Sequence, residues 1–209
     1  LPQALADRAQ YIASFIFDAA RDEFDDHINR ARDPHRSLAQ AMLLGIAKQH
    51  DLMPVLAETE PAWLYDQCDE VVPGYDGRPF VYEWESIYFG MGYHLGSELL
   101  ADQEFTIIDE FIRTCHTETF EYLKRHSEHL ADVDHRDYAW IGVHSAFAGG
   151  GAAEADHFAW ALEGINKSLE FLTEGVNADD AKEMLIQGLL KFEADHQTFF
   201  NFSVREEDL

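Results

Sequence analysis

Apolar residues recur at helical spacing along most of the chain. Leu5, Ala9, Ile12, Ile16, Ala19 and Ala20 mark one stripe over residues 3–31, the pattern of a helix with one buried face. Pro34 and Ser37 end that helix and begin another, running from Leu38 through Ala47 to about Leu56. Residues 57–79 hold Pro61, Pro73, Gly74, Gly77 and Pro79. They are the least regular stretch, read as an ordered loop packed through Trp63, Tyr65 and Tyr75, with room for one short helix. A helix follows from Phe80 to Ala101, and Asp102 reads as the N-cap of the next, from Gln103 to about His129.

Residues 129–137 are charged and polar and read as a connection. A further helical region covers Tyr138 to Thr173, with a kink or break at Gly149, Gly150 and Gly151, and the last helix covers Ala178 to Ser203 before an acidic, fraying end. Between these two, Thr173 to Asp180 reads as a helix–helix turn. Gly175 suits the position just past a helix, and Asn177 suits an N-cap followed by acids. Clean period-two alternation is absent, so the class is all-α. The expectation is a single helical domain over residues 1–209 with about six to seven helices. Four long ones would form an up-down bundle flanked by two amino-terminal helices.

Composition narrows the functions. A hydrophobic content of 46% with 15 Phe marks a globular chain with a substantial core. The net charge of −25 excludes nucleic acid and anionic membrane surfaces as expected partners, since both need basic patches. Acidity alone fits a solubility or salt-adapted surface and does not imply a metal. Two cysteines, Cys68 and Cys115, without a C-x-x-C pair, point to a reduced, cytoplasmic setting. No apolar run has the length of a membrane span, and no signal peptide is read at Leu1. The opening Leu1, in place of a Met, reads as a trimmed part of a longer chain.

The chemistry lies in a phrase that occurs twice. Residues 153–157 read Ala-Glu-Ala-Asp-His and residues 192–196 read Phe-Glu-Ala-Asp-His. Each copy sets a Glu three residues before a His, Glu154 with His157 and Glu193 with His196, on one helical face about a turn apart. This Glu-x-x-His pair is what carboxylate-bridged di-iron bundles take from two of their helices. Both histidines stand about 19 residues from the middle of the 173–180 turn, roughly 29 Å up each arm of a hairpin. Folded antiparallel, the pairs share one level.

The stripe of Glu193 and His196 includes Leu185, Leu189, Phe192, Phe199 and Phe200, which predicts burial. A Glu buried there needs a partner, either a metal or a hydrogen-bonded His. Glu154 and His157 share their stripe with Gly150, Ala153, Ala161 and Gly164, which suits close packing or a cavity. Reflection through the expected turns near Asp102 and Val133 brings His94 to the same level, with Glu98 one turn on. Glu110 has the right height but a solvated face. Glu85 stands nine residues before His94, on the opposite side of a regular helix, and a bulge at Gly90 and Gly92 would bring it round. Asp132-x-x-His135 is a rival ligand pair in the connection. His144 reads as a satisfied core histidine or a pocket residue, with Phe158 and Trp160 as further pocket candidates.

Taken together, these motifs resemble the haem-oxygenase-like di-iron oxidases over roughly residues 80–200. The resemblance implies an all-α haem-oxygenase-like bundle and ligands in three instalments: Glu85 and His94, then Glu154, then Glu193 with His196. Leu189 stands where members often carry another His, and His157 would be an additional ligand or a group bonded to one. It further implies two Fe ions, cycling between Fe(II) and Fe(III), with O2 as co-substrate. The substrate would be a small amine or amino acid of natural-product biosynthesis, as in the azetidine-forming members, undergoing desaturation, hydroxylation, C–C cleavage or cyclisation. An external reductant and a homodimer are compatible with it. The competing expectations are a ferritin-like metal-storage protein and a metal-free small-molecule enzyme or binding module.

Overall fold

The computed structural model describes residues 2–24, 35–56, 62–77, 80–130, 133–147 and 153–203. The described chain is α-helical apart from one small hairpin. Its elements are α1 (Pro2–Phe24), α2 (His35–Gln49), α3 (Met53–Leu56), α4 (Ala62–Tyr75), α5 (Glu83–Cys115), α6 (Thr117–Arg125), β1 (Ser127–Leu130), β2 (Val133–Arg136), α7 (Ala139–His144), α8 (Ala153–Glu170) and α9 (Ala178–Ser203). It divides into two compact units, one of residues 1–16, 60–99 and 158–209, the other of residues 17–59 and 100–157.

Several boundaries differ from the sequence reading. The turn expected at Asp102 is absent. α5 continues through it for 33 residues, because Leu99, Leu100 and Ala101 before it and Phe105 after it extend the helix without a Gly or Pro. The chain breaks instead at His116, which caps α6 without a side-chain hydrogen bond. The expected 38–56 helix ends at Gln49. Asp51 adopts φ 55°, and the Leu52 N–H bonds back to the Ala47 carbonyl at 2.8 Å, closing the helix end. The stretch read as irregular carries the 14-residue α4, with Pro73 inside it near its end. The expected connection at 129–137 is largely an antiparallel hairpin in which Leu130 pairs with Val133 and Ser127 with Arg136; four-residue strands are too short for alternation to register. The glycine run at 149–151 and the acidic end lie outside the described residues, as do the last residues of the expected amino-terminal helix.

The 173–180 turn forms as read. Gly175 has φ 90°, and the Asn177 carboxamide accepts the Asp179 N–H at 2.8 Å.

In the first unit, α5 and α9 meet backbone to backbone. A Cβ on Gly92 would lie 2.0 Å from the Leu185 carbonyl oxygen, and one on Gly188 would lie 2.0 Å from that of Phe89. Side by side with this crossing, Tyr88, Ile165, Ala181 and Leu185 form a core with Trp84, Met91 and Leu169 packed on it. Tyr93 is fully buried, its ring against Tyr75 and Phe192 at 5.1 Å each.

The second unit has its own core of Met42, Ile112, Phe120, Leu123, Tyr138 and Ile141. Beside it lies a buried polar network centred on Asp109, which is 0% exposed. Its carboxylate accepts from Tyr138 Oη, from Ser145 Oγ at 2.8 Å and from the Arg113 guanidinium. Burial and then the bond to Asp109 hold the Tyr138 hydroxyl un-ionised well above the usual phenol range.

Candidate functional site

His94 and Glu98 are the pair of expected ligands that the structure brings together. They stand one turn apart on α5, with His94 Nδ1 3.3 Å from Glu98 Oε1 and side chains 21% and 13% exposed. A carboxylate at that distance serves either as a second donor to one ion or as the partner that orients a ligating imidazole. His94 forms part of the wall of a cavity of about 340 Å³ with Tyr75, Asp76 and Ser86. The cavity lies where the end of α4 meets α5. Gly90 permits that approach, since a Cβ there would sit 2.9 Å from the Tyr75 carbonyl oxygen.

A second, larger cavity of about 520 Å³ adjoins it, and Ile16, Ile87 and Met91 line both. Among the described residues its walls are almost wholly apolar, with Ile12, Trp84 and Phe171 in the lining and Arg8 as the one charged residue. The Tyr88 hydroxyl, which also lines it, donates to the Ser168 carbonyl at 3.0 Å. Burial raises the Tyr88 pKa, and the bond to Ser168 opposes that rise.

The other expected ligands are placed differently. Glu85 accepts the Tyr82 N–H at 3.1 Å and so closes the first turn of α5 in the manner of a capping box. No bulge turns it toward His94: α5 is regular there, and Gly90 and Gly92 admit neighbouring backbone instead.

Glu193 is exposed, contrary to the stripe reading. The Gly188 crossing sets which arc of α9 faces inward. At 100° per residue Glu193 points about 140° from Gly188, whereas Asp195 falls within about 20° of it. Asp195 is accordingly the inward carboxylate of the motif, accepting from Tyr93 Oη at 3.1 Å and from Lys191 Nζ. His196 is half-buried between the rings of Phe192 at 5.5 Å and Phe200 at 4.8 Å, and Phe199 and Phe200 are themselves exposed.

His157 is 1% exposed and belongs to the second unit, while His94, Glu98, Glu193 and His196 belong to the first. Glu154 lies in the first turn of α8, and its side chain is outside the described residues, as is the Asp132–His135 pair. Glu110 is exposed, as read.

His144 is a core histidine of the second unit. Its Nδ1 meets the Trp140 carbonyl at 2.6 Å, so that nitrogen carries the proton, and Nε2 lies 3.3 Å from His35 Nδ1. Phe105 stacks on the ring at 4.4 Å. Phe158 and Trp160 are half-buried in the first unit, and the two cavities there are lined by other residues.

Among the described residues, no three His, Cys, Asp or Glu side chains converge to hold a metal. The five-ligand set implied by the resemblance is therefore not assembled by them, and His94–Glu98 is a two-donor fragment.

Two residues were missed in the sequence. Asp195 sits inside the repeated phrase but off the Glu-x-x-His spacing. Arg8 carried a readable signal, since it falls three residues after Leu5 and four before Ile12, a cation on an apolar stripe. Cys68 and Cys115 are free and exposed, and no described helix is long and apolar enough to cross a membrane. Comparison with known protein families, characterised proteins and solved structures finds no match to this chain.

Proposed function

We propose that the chain is a non-haem iron oxidase on a haem-oxygenase-like helical scaffold, using O2 to oxidise a small organic molecule held in the first unit. The observation that supports this reading is the His94–Glu98 pair, one turn apart, with His94 on the wall of a cavity that adjoins a larger apolar one. Imidazole and carboxylate donors suit iron, and an apolar chamber beside them suits a substrate oxidised at carbon. When bound, the metal would supply O2 activation. The chain's own part is to hold the donors, and to shield and orient the substrate between α1 and α5.

Anaerobic loading with Fe(II), metal analysis and rapid mixing with O2 test it. The expected result is about two irons per chain and a transient visible absorption, both lost in His94→Ala. A folded protein that takes up no stoichiometric iron overturns the proposal.

A second reading, a metal-free binding module or enzyme for the same cavities, is favoured by two placements. Glu85 is engaged as a helix cap, and Glu193 faces solvent. That reading expects ligand binding unchanged by chelators.

A further inference from the structure

We propose that a third cavity, in the second unit, is a site of mixed-disulfide formation: it seats a short peptide thiol, delivered as its disulfide, and attaches it to Cys115. The cavity holds about 370 Å³ and lies where the end of α2 meets the junction of α5 and α6. No purely hydrocarbon side chain is among its described lining residues, so it suits a polar ligand where the chamber of the first unit suits an apolar one.

The observation that points to a ligand is Gln49. Its Oε1 is buried and has no hydrogen-bond partner among the described residues, and the residue lines the cavity. A buried carboxamide oxygen left unmatched is costly, and an amide N–H of a ligand would satisfy it. α6 supplies the complementary donors. His116 caps it without a side-chain hydrogen bond, and the first N–H groups of a helix have no partner within it. That end of α6, which lines the cavity from His116 to Thr119, suits a carboxylate. Glu118 on the same wall suits an ammonium group. His50 braces the wall, its Nε2 3.0 Å from Thr119 Oγ1. Amide, carboxylate and ammonium on one small body describe a short peptide, and the Cys115 thiol beside them selects one that carries sulfur.

Cys115 ends α5, and its thiol is free and exposed. As the thiolate it attacks one sulfur of the peptide disulfide. The new bond joins Cys115 Sγ to that sulfur, the old S–S bond breaks, and the other half leaves as a thiolate that takes up the proton given by Cys115. Cys68 is also free and exposed but lines none of the three cavities, which makes it an internal control. The site belongs to the second unit and stands or falls apart from the oxidase reading, which concerns the first.

The test incubates the reduced full chain with glutathione disulfide and follows each cysteine by peptide mass mapping. The rate at Cys115 should level off as the disulfide concentration rises, the mark of binding before exchange, while the rate at Cys68 stays proportional to it. With hydroxyethyl disulfide, which carries neither amide nor charge, both rates should stay proportional. Gln49→Met keeps the length of the side chain and removes the acceptor; it should raise the half-saturating concentration about fivefold and leave the reaction with hydroxyethyl disulfide unchanged. Glutathione sulfonate, which cannot exchange, should slow alkylation of Cys115 by iodoacetamide and not that of Cys68, a measurement that needs no variant.

A Cys115 rate proportional to glutathione disulfide throughout, levelling off alike with both disulfides, or no protection by the sulfonate overturns the proposal. So does a folded Gln49→Met protein with the half-saturation of the parent.

Discussion

Gly188→Ala separates two forces that act in opposite directions. Helix propensity alone favours the change by about 1 kcal/mol. Packing opposes it, because the new Cβ would sit 2.0 Å from the Phe89 carbonyl oxygen and 2.8 Å from the Tyr93 nitrogen. Both are backbone atoms of α5 and cannot rotate aside. Ordinary contact begins near 3.4 Å, so the helices must part by roughly 1.4 Å, enough to forfeit much of the dispersion across the crossing. Overpacking of this kind costs about 1–3 kcal/mol, and a rigid obstacle places it at the upper end. The net expectation is a loss of about 2 kcal/mol, or a fall in melting temperature of roughly 4–8 °C at this chain length.

The control is Gly142→Ala in α7, where an added Cβ meets nothing within 4 Å; there propensity acts alone and should stabilise by about 0.5–1 kcal/mol. Thermal and urea unfolding of both variants provide the readout. Because Gly92 meets the Leu185 backbone at the same crossing, adding Gly92→Ala to Gly188→Ala should cost less than the sum of the two. A Gly188→Ala protein as stable as the parent would refute the backbone contact and with it the orientation of α9.

Other outcomes concern the polar groups. Asp109→Asn leaves Arg113, Tyr138 and Ser145 sharing a weaker acceptor in a fully buried place and should cost about 3 kcal/mol in urea unfolding. Tyr138 has a folded pKa above its unfolded value, so its stabilising contribution is complete below about pH 10 and drains away as pH rises further. Alkaline unfolding should therefore begin earlier than in Tyr138→Phe when each is compared with its own stability at neutral pH. Glu85→Ala removes the carboxylate that accepts the Tyr82 N–H and should cost about 0.5–1 kcal/mol, measurable as a lower urea midpoint.

The sequence was most legible where a local rule decides the structure. The 173–180 turn could be read residue by residue, because Gly175 and Asn177 act through their own backbone and side-chain geometry. α9 began and ended where periodicity placed it. Asp102 misled because a residue that favours an N-cap is also tolerated within a helix when its neighbours are strong helix formers. The break at His116 has no Gly, Pro or side-chain cap to announce it.

For the site, spacing correctly placed His94 and Glu98 side by side on one face. It could not say which face of α9 turns inward, because partner backbones, not the motif, make that choice. Glu193 and Asp195 are two residues apart, and the crossing at Gly188 sends one to solvent and the other to Tyr93.

That crossing also bears on how freely this stretch of chain can drift over generations. Where Gly92 and Gly188 bring the backbones of α5 and α9 together, no side chain lies between them to repack when a neighbour changes, so these two positions are confined to glycine. Ala181, Leu185 and Phe192 share the restricted arc, while Ile186, Leu190, Glu193 and Gln197 occupy the open one. Inheritance along α9 should carry a helical rhythm, with variation pooling on one side and constancy on the other.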